Sequence, residues 1–570
     1  MRKCLTLLFV SILLWSCSEA QFEDTADVSA PVLSAEIIDD TPYPLEIMRQ
    51  AVNEVMAESA TRSTVPELKP THRYIEFIPA TFEEYYRLWG EENIDCIPAS
   101  ALDTSNLTEE NSCVAVIRKE NEGPEKLYAL VANDVTLPDY IAYKVLTELY
   151  TPYAADSGIT DVELSKQITQ CAEMLSNETR GIIVPVKKVT PKGTITVADK
   201  YAGKNVPLAN VSVTIIYKAP AGDFDVVTTE VVKTDGNGYF TSAKSYDERY
   251  ISFSIAWVQG RISITDSSGN VATTIGGSPD SSGQWNPVFG EPEFTPSMIN
   301  YYVSMYRAVN SVFNGGTDVL SNNNHYIQLC ATDEAGTGNS ATSFAPDSST
   351  GLYPKAIIKC GNKDSYEIMH YTCYELGRMC MYAINPKRYI TSWAHTHTGR
   401  NETIKRSWGA FAAFYFLGKE AERVGTVEKL HTMITYNGNK VQKPDFYNRQ
   451  DWQCTYTVKD LYHIPISINI PIFIDLYDSF NQYEYYSYTT HFSNTKYPND
   501  NICMPDFSTI RDIAYGANSI NDVYVRIKDP KYKERYLYTE EDINTLFNSW
   551  DTYGLYTFME EICQWPEGNI

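Results

Sequence analysis

Four side chains in the second half of the chain have the types and spacing of zinc ligands. His395 and His397 form an H-x-H pair, Glu402 follows closely, and His370 precedes them. Imidazole nitrogens and carboxylate oxygens bind Zn²⁺, and alternating residues in a turn can reach one ion. A lone histidine on an apolar helix is more often a hydrogen-bonded core residue, however. We therefore expect no bound metal, and a zinc site at these four residues is the alternative.

A second pattern depends on two predicted helices. The first helix, from Asp364 to Ala383, is capped by its aspartate and contains Ile368-Met-His-Tyr-Thr-Cys-Tyr-Glu-Leu-Gly-Arg-Met379. A short strand, Pro354 to Lys359, precedes it. The second helix runs from Thr403 to Glu420 and includes Arg406-Ser-Trp-Gly409. The order is therefore a strand, a helix with x-E-L-G-x, and a helix with S-W-G.

This order resembles the zinc-metallopeptidase (zincin) domain. In that family the first helix reads H-E-L-G-H, where the two histidines bind Zn²⁺ and the glutamate activates the bound water. A glutamate on the next helix often supplies the third ligand. The resemblance places the general base at Glu375 and the ligand positions at Tyr374, Arg378 and Arg406. It implies a zincin-like α+β fold over residues 290–570.

All three ligand positions depart from the family's pattern. Two of them are arginines, whose guanidinium groups have no lone pair to offer a metal. Two such cations would repel a dication by several kcal/mol at an effective dielectric constant of about 20. Glu375 is then placed to pair with Arg378, Arg406 or both. We therefore expect a pseudopeptidase without cofactor, in which Glu375 is a vestige of the general base.

Other chemical signatures are weak or missing from the sequence. Asp475 and Asp478 are spaced like paired carboxylates, but they fit a turn at the end of a buried strand better. Tyr483-Glu-Tyr-Tyr-Ser-Tyr488 has side chains that stack on sugar rings, although exposed tyrosines are ordinary in strands and loops. The sequence has no G-x-S-x-G, P-loop or dinucleotide-binding fingerprint.

The first seventeen residues resemble a bacterial lipoprotein signal. Arg2 and Lys3 precede the apolar run from Leu5 to Trp15, which is too short to span a bilayer comfortably. Leu14-Trp15-Ser16-Cys17 resembles a lipobox, although Trp15 stands where a small residue is usual. The resemblance implies cleavage after residue 16 and a lipid on Cys17. An ordinary secretory peptide with an incidental cysteine is the alternative.

The residues after Cys17 predict where the anchored protein is displayed. Residues 17–40 are rich in Ser, Ala, Asp and Glu, a composition typical of a flexible tether. Glu19, Glu23 and Asp24 are similar to the acidic signals of lipoproteins that Gram-negative bacteria export to the cell surface. We expect an outer-membrane lipoprotein that faces the exterior, whose membrane contact is the lipid at Cys17.

The composition excludes one class of partner. The 570 residues include 47 Lys and Arg against 72 Asp and Glu, which gives a formal net charge of −25. No basic surface is available to replace the counterions around phosphates, so nucleic-acid binding is excluded. An envelope protein can form disulfides, and Cys96 with Cys113 is a local candidate pair among the 12 cysteines. Buried free thiols are the expectation for several others.

Three segments with different patterns predict three folded domains. Residues 41–180 mix amphipathic helices with short strands and predict an α+β domain, including a helix from Thr81 to Trp89 capped by Thr81. Residues 191–280 carry G-x-I-x-V, x-P-L-x-x-V-x-V and T-D-x-x-G-x-F, and this set resembles the carboxypeptidase regulatory-like β-sandwich. Within it, Asp235-Gly-Asn-Gly238 predicts a tight turn, because these residues tolerate positive φ, and Thr265 to Gly283 predicts a loop or boundary. The zincin-like segment adds a helix from Met298 to Phe313, a strand from Ser467 to Leu476 and a final helix from Tyr538 to Tyr556.

Together these patterns predict a lipid-anchored, multidomain α+β protein of the cell envelope. The expected function is non-catalytic: a binding or scaffold protein with a peptidase-shaped cleft for peptide or glycan ligands. A metal-dependent peptidase that uses His370, His395, His397 or Glu402 is one alternative. A structural surface-layer component is the other.

Overall fold

The described part of the chain contains both α-helices and β-sheets, as the sequence predicts. None of the helices described is long and apolar enough to cross a bilayer. The computed structural model describes residues 43–58, 67–105, 107, 112–118, 122–151, 159, 162–178, 188–221, 224–315, 326–335, 355–384, 399–426, 436–437, 440–441, 472–477, 501–517 and 520–552.

An antiparallel sheet and three helices are formed by residues 43–178. The strands are β1 (Tyr43–Pro44), β2 (His72–Ile78), β3 (Cys96–Pro98), β4 (Cys113–Ala115), β5 (Leu127–Ala132) and β6 (Ala142–Tyr150). The sheet order is β1-β6-β2-β5-β3, and β4 pairs elsewhere. The helices are α1 (Leu45–Glu58), α2 (Phe82–Trp89) and α3 (Val162–Glu178). The predicted cap of α2 is confirmed, because the Thr81 side chain accepts the Glu84 N–H.

Residues 188–289 are almost entirely β-structure. The strands are β7 (Lys188–Val189), β8 (Lys192–Thr194), β9 (Thr196–Asp199), β10 (Lys204–Pro207), β11 (Ser212–Ala221), β12 (Phe224–Lys233), β13 (Tyr239–Thr241), β14 (Tyr246–Asp247), β15 (Ile251–Ala256), β16 (Val258–Gln259), β17 (Ile262–Thr265), β18 (Thr273–Gly276) and β19 (Val288–Phe289). The largest sheet here is antiparallel, in the order β12-β11-β15-β18-β4. A smaller sheet has the order β10-β9-β19, and β13-β8 and β14-β7 are two-stranded.

The turn predicted between β12 and β13 is confirmed. The Asp235 carboxylate accepts hydrogen bonds from the backbone N–H groups of Asn237 and Tyr239. Gly238 adopts a φ of 73°, which a side chain would disfavour. The turn places Phe240 in the core, where its ring contacts Phe253 and Trp285.

The remaining described residues add helices and a partly parallel sheet. The helices are α4 (Met298–Gly315), α5 (Ser365–Ile384), α6 (Gly399–Val424), α7 (Ile472–Tyr477), α8 (Phe507–Gly516), α9 (Ile520–Ile527), α10 (Pro530–Tyr536) and α11 (Glu540–Thr552). The strands are β20 (Ile327–Ala335), β21 (Lys355–Gly361), β22 (Tyr436–Asn437) and β23 (Lys440–Val441). The sheet order is β16-β17-β20-β21, in which β17, β20 and β21 are parallel. Four predicted helices correspond to α4, α5, α6 and α11.

Strand pairing joins segments that the sequence assigns to different domains. Strand β4 extends the large antiparallel sheet by pairing with β18. Strand β17 pairs in parallel with β20. One apolar core is correspondingly continuous from Phe253 on β15 and Trp257, which follows that strand, to Tyr306 on α4 and Leu376 on α5. The hydrophobic effect therefore contributes to holding these segments together.

Three expectations from the sequence are wrong. The described end of the strand predicted from Ser467 to Leu476 is the helix α7, because a short and fully buried apolar run shows no period that separates strand from helix. Four residues of the predicted loop, Thr273–Gly276, form the buried strand β18. Cys96 and Cys113 do not form a disulfide. They lie on strands of different sheets.

Candidate functional site

Helix α5 carries Glu375, which the resemblance expects to be the general base. The N-terminus of α5 is capped by side chains, as the sequence predicts. The Asp364 carboxylate accepts the Glu367 N–H at 2.8 Å, and the Glu367 carboxylate accepts the Asp364 N–H at 3.0 Å. This reciprocal arrangement is a capping box, which satisfies backbone donors that have no partner within the helix. The predicted aspartate cap is therefore confirmed. Helix α5 then packs against α4 and α6 in the continuous core.

Glu375 is bound by Arg378 inside the protein. The Arg378 Nη1 atom lies 3.2 Å from the Glu375 Oε2 atom. Both side chains are buried, with 1% of Glu375 and 7% of Arg378 exposed. Removing either partner of a buried ion pair of this kind would leave an uncompensated charge. Glu375 and Arg378, which the resemblance expects at the general-base and second ligand positions, are thus partners of each other.

The two ligand positions on α5 face the same neighbouring helix. The Arg378 guanidinium carbon lies 5.7 Å from the centre of the Tyr374 ring, as expected for side chains four residues apart. A Cβ added at Gly409 on α6 would lie 3.0 Å from Tyr374 Cε2 and 3.0 Å from Arg378 Cγ. Tyr374 and Arg378 therefore fill the space between α5 and α6 at this point.

Close helix packing explains the E-L-G and S-W-G patterns. A Cβ added at Gly377 would lie 2.5 Å from the Cβ of Ala412, so only glycine allows this approach of α5 to α6. The Trp408 Nε1–H donates a hydrogen bond of 3.0 Å to the Gly377 carbonyl oxygen. Gly377, Trp408 and Gly409 thus form a crossing point, which we call the α5–α6 crossing. It needs no metal to account for its residue types.

Replacing Gly377 with valine is expected to destabilise the α5–α6 crossing. The added carbons overlap Ala412, and overpacking of this kind costs about 1–3 kcal/mol. Urea denaturation followed by circular dichroism measures the change. Gly123→Val is the control, because a Cβ at Gly123 meets nothing within 4 Å. Equal free energies of unfolding for the two variants would contradict the close packing of α5 against α6 at Gly377.

The alternative zinc ligands are only partly within the described structure. His370 is buried on α5, with its ring 5.4 Å from that of Tyr371 in an edge-on arrangement. Glu402 and Arg406 lie on α6, and their side chains lie outside the described part. Asp475 is buried on α7. Several sequence candidates lie outside the described residues: Cys17, His395, His397, Asp478 and Tyr483–Tyr488.

The residues described do not fit a zinc ion at the general-base position. Among them, no group of three or more His, Cys, Asp or Glu side chains is arranged to hold a metal. Zinc requires three or four lone-pair ligands, and Arg378 and Tyr374 offer no imidazole at the two places that the motif provides. What this arrangement does instead is hold a buried carboxylate and a guanidinium together between two helices.

A buried charge network that the sequence patterns did not predict joins α4 to its neighbours. Arg307 on α4 donates to Asp199 at 2.7 Å and to Glu420 at 2.9 Å. The Tyr366 hydroxyl donates to the same Asp199 oxygen at 3.0 Å, and Arg423 donates to Glu420 at 2.7 Å. Burial alone would raise the pKa of Asp199. The Arg307 guanidinium and these hydrogen bonds outweigh burial and hold that pKa below its usual value.

One signal in the sequence points to this network. Arg307 is the only charged residue between Met298 and Phe313, on a helix that is apolar on nearly every face. A helix of that composition is buried, and a buried arginine needs carboxylate partners. The partners themselves, Asp199 and Glu420, lie far away along the chain. The network therefore joins β9 to α4 and α6.

Comparison with known proteins adds no family to this description. A scan against protein-family models, a search of curated proteins and a search of solved structures each found no match to the chain.

Proposed function

We propose that the protein is a lipid-anchored, surface-facing protein of the bacterial cell envelope that binds or scaffolds peptide or glycan ligands without catalysis. Its residues 290–570 would be a zincin-like domain whose metal site is degenerate. The ion pair between Glu375 and Arg378 is the observation that carries this proposal. A zincin-like general base has to accept a proton from metal-bound water, and the carboxylate here is already held by a guanidinium.

The chemistry of the ligand positions supports the same conclusion. A catalytic zinc site has three protein ligands and one open position for water. Arg378 cannot act as a ligand, because its guanidinium stays protonated and has no lone pair. Tyr374 and Arg378 also fill the space against Gly409 on α6. The zincin-like domain and the regulatory-like β-sandwich at residues 191–280 then serve as recognition modules in the proposal.

A peptide-hydrolysis assay tests the absence of catalysis. The chain from Ser18 is incubated with a library of quenched fluorescent peptides in the presence of trace zinc. We expect no cleavage above the level of a Glu375→Gln variant, because the wild-type carboxylate is occupied by Arg378. Cleavage that depends on His370 or His397 would overturn the proposal in favour of the metal-dependent peptidase.

Ligand binding separates a recognition protein from a structural surface-layer component. The same chain is applied to arrays of cell-surface glycans and of short peptides. Saturable binding to one chemical class is the result expected of a recognition protein. Binding to neither class, together with regular self-assembly into sheets, is the result expected of a surface-layer component and would contradict the proposal.

Replacing Cys17 with serine is expected to release the protein from the membrane. The proposed anchor requires the thiol, because the lipid is attached through sulfur, and a multiply acylated cysteine is a stable anchor. Fractionation of cells and incorporation of labelled palmitate measure the effect. Cys4→Ser is the matched control, since the proposed signal peptide is removed with Cys4. Membrane retention of the Cys17 variant would contradict lipid anchoring.

A further inference from the structure

Two buried carboxylates share one guanidinium at a junction between segments that are distant along the chain. Arg118 follows strand β4 and forms ion pairs with both Glu125 and Asp266, the latter at 3.3 Å. The exposed fractions are 10% for Arg118, 10% for Glu125 and 4% for Asp266. We call these three residues the Arg118 cluster. With all three groups charged, the cluster carries one net negative charge in a buried place.

The Arg118 cluster is fixed to the loop formed by residues 266–270. The Asp266 carboxylate accepts the Asn270 N–H at 3.0 Å within the loop. The Asn270 side-chain oxygen accepts the Glu125 N–H at 3.1 Å, and the Ser267 hydroxyl donates to the Arg118 carbonyl oxygen at 3.3 Å. These residues belong to the segment predicted to be a loop or boundary, and the loop that they form contacts both Arg118 and the backbone of Glu125.

Two other titratable groups of the described residues contact the cluster or its loop. The Tyr85 hydroxyl donates to Glu125 at 3.4 Å, and the Lys355 Nζ atom donates to the Ser267 carbonyl oxygen at 3.2 Å. Lys355 thus contacts the loop rather than either carboxylate. Among the described residues, the titratable groups that face the cluster from the surrounding elements include Tyr85 and Tyr86 on α2, Tyr302 on α4, Cys330 on β20 and Lys355 on β21.

We propose that the Arg118 cluster is a proton-operated clasp, in which uptake of one proton by its two carboxyl groups fastens β4 and the chain near Glu125 to the loop 266–270. One protonated carboxyl and one carboxylate on Arg118 make a neutral cluster, which burial favours. The proton comes from solvent and returns to it when the clasp opens. This inference is independent of the proposed binding function.

The direction of the pH effect follows from burial. Burial raises the pKa values of Glu125 and Asp266, against the opposing influence of Arg118. A carboxyl with a raised pKa binds its proton more tightly in the closed clasp than in the open one. The closed form is therefore destabilised, relative to the open form, at pH values above the raised pKa values. This destabilisation disappears as the pH falls towards the ordinary carboxyl pKa values of about 4.

Hydrogen exchange on the chain from Ser18 tests the clasp. Amides of β4 and of residues 266–277 are followed at about pH 7.5 and about pH 5, with rates normalised to an unstructured peptide. We expect the opening equilibrium to fall severalfold at the lower pH, with a limit near tenfold for each unit by which a carboxyl pKa is raised. An opening equilibrium that does not change with pH would overturn the proposal.

Two glutamine variants identify the groups responsible. Glu125→Gln removes one titrating group and is expected to weaken the pH dependence at β4. Glu76→Gln is the matched control. Burial alone would raise the pKa of Glu76, but Lys126 and Tyr128 outweigh burial and hold that pKa below its usual value. It should leave the dependence at β4 intact. If Glu125→Gln fails to fold, Asp266→Asn replaces it, since its amide oxygen still accepts the loop N–H groups. If the variant that folds shows the same pH dependence of the opening equilibrium at β4 as the wild type, the proposed clasp is contradicted.

Discussion

Replacing Arg307 with methionine is expected to destabilise the folded protein by about 3–5 kcal/mol, the largest effect we anticipate for a charged residue. The substitution keeps most of the side-chain volume and removes the cation that lies between Asp199 and Glu420. Arg307 and Asp199 are at most 1% exposed, and Glu420 is 3% exposed. The destabilisation arises because the carboxylates of Asp199 and Glu420 remain buried, away from water, without the cation between them.

Urea denaturation at neutral pH measures the loss, with Arg423→Met as the matched control. Arg423 binds the same Glu420, but a third of its side chain is exposed. Exposed pairs of this kind contribute up to about 1 kcal/mol. A loss in Arg307→Met no larger than in Arg423→Met would show that the buried network contributes little to the fold.

The loss caused by Arg307→Met is expected to shrink as the pH falls. In the wild type, Arg307 and the hydrogen bonds hold the pKa of Asp199 below its usual value, so the stability that Asp199 contributes is present above the unfolded pKa and is lost in acid. In the variant, burial without the cation favours the protonated carboxyl, which acid supplies. The two denaturation midpoints should therefore converge between about pH 5 and about pH 3.

Replacing Trp408 with alanine is expected to destabilise the region around the α5–α6 crossing by about 3–5 kcal/mol. The indole is fully buried. Its ring packs against those of Phe411, Phe507 and Tyr515 at centroid distances of 5.2–5.6 Å. The substitution leaves a large cavity and also removes the hydrogen bond to the Gly377 carbonyl oxygen.

Near-ultraviolet circular dichroism during urea denaturation follows this loss. Trp408→Phe keeps much of the packing but removes the N–H donor, so it should lie between the wild type and the alanine variant. Phe294→Ala is the control for loss of an aromatic ring at an exposed site, since Phe294 is 73% exposed. Similar stability of Trp408→Ala and Phe294→Ala would contradict the packing described for α6.

Local features of the sequence predicted local features of the structure. The caps at Thr81 and Asp364 are confirmed because capping depends on a side chain and the backbone a few residues away. The turn at Asp235 and Gly238 is confirmed for the same reason. The ion pair of Glu375 with Arg378 was also predicted, because residues three apart on a helix lie on the same face.

Features that depend on distant parts of the chain were not predictable from the sequence. Strand β18 has the short sequence Thr-Thr-Ile-Gly, and its burial depends on neighbours such as Trp257, whose Nε1–H donates to Thr274 at 2.8 Å. The Gly276 position leaves room for the Trp285 ring, to which an added Cβ would approach within 2.2 Å. The partners of Arg307 and Arg118 are likewise set by tertiary packing, which overrides local preference.

The zinc content of the chain from Ser18 tests whether the protein holds a metal ion. The protein is purified without chelator, dialysed against trace zinc and analysed by mass spectrometry. With Glu375 bound by Arg378 at the general-base position, we expect less than about a tenth of an equivalent of zinc. One tightly bound equivalent, lost in His370→Ala or His397→Ala, would contradict the account and establish a metal site in its place.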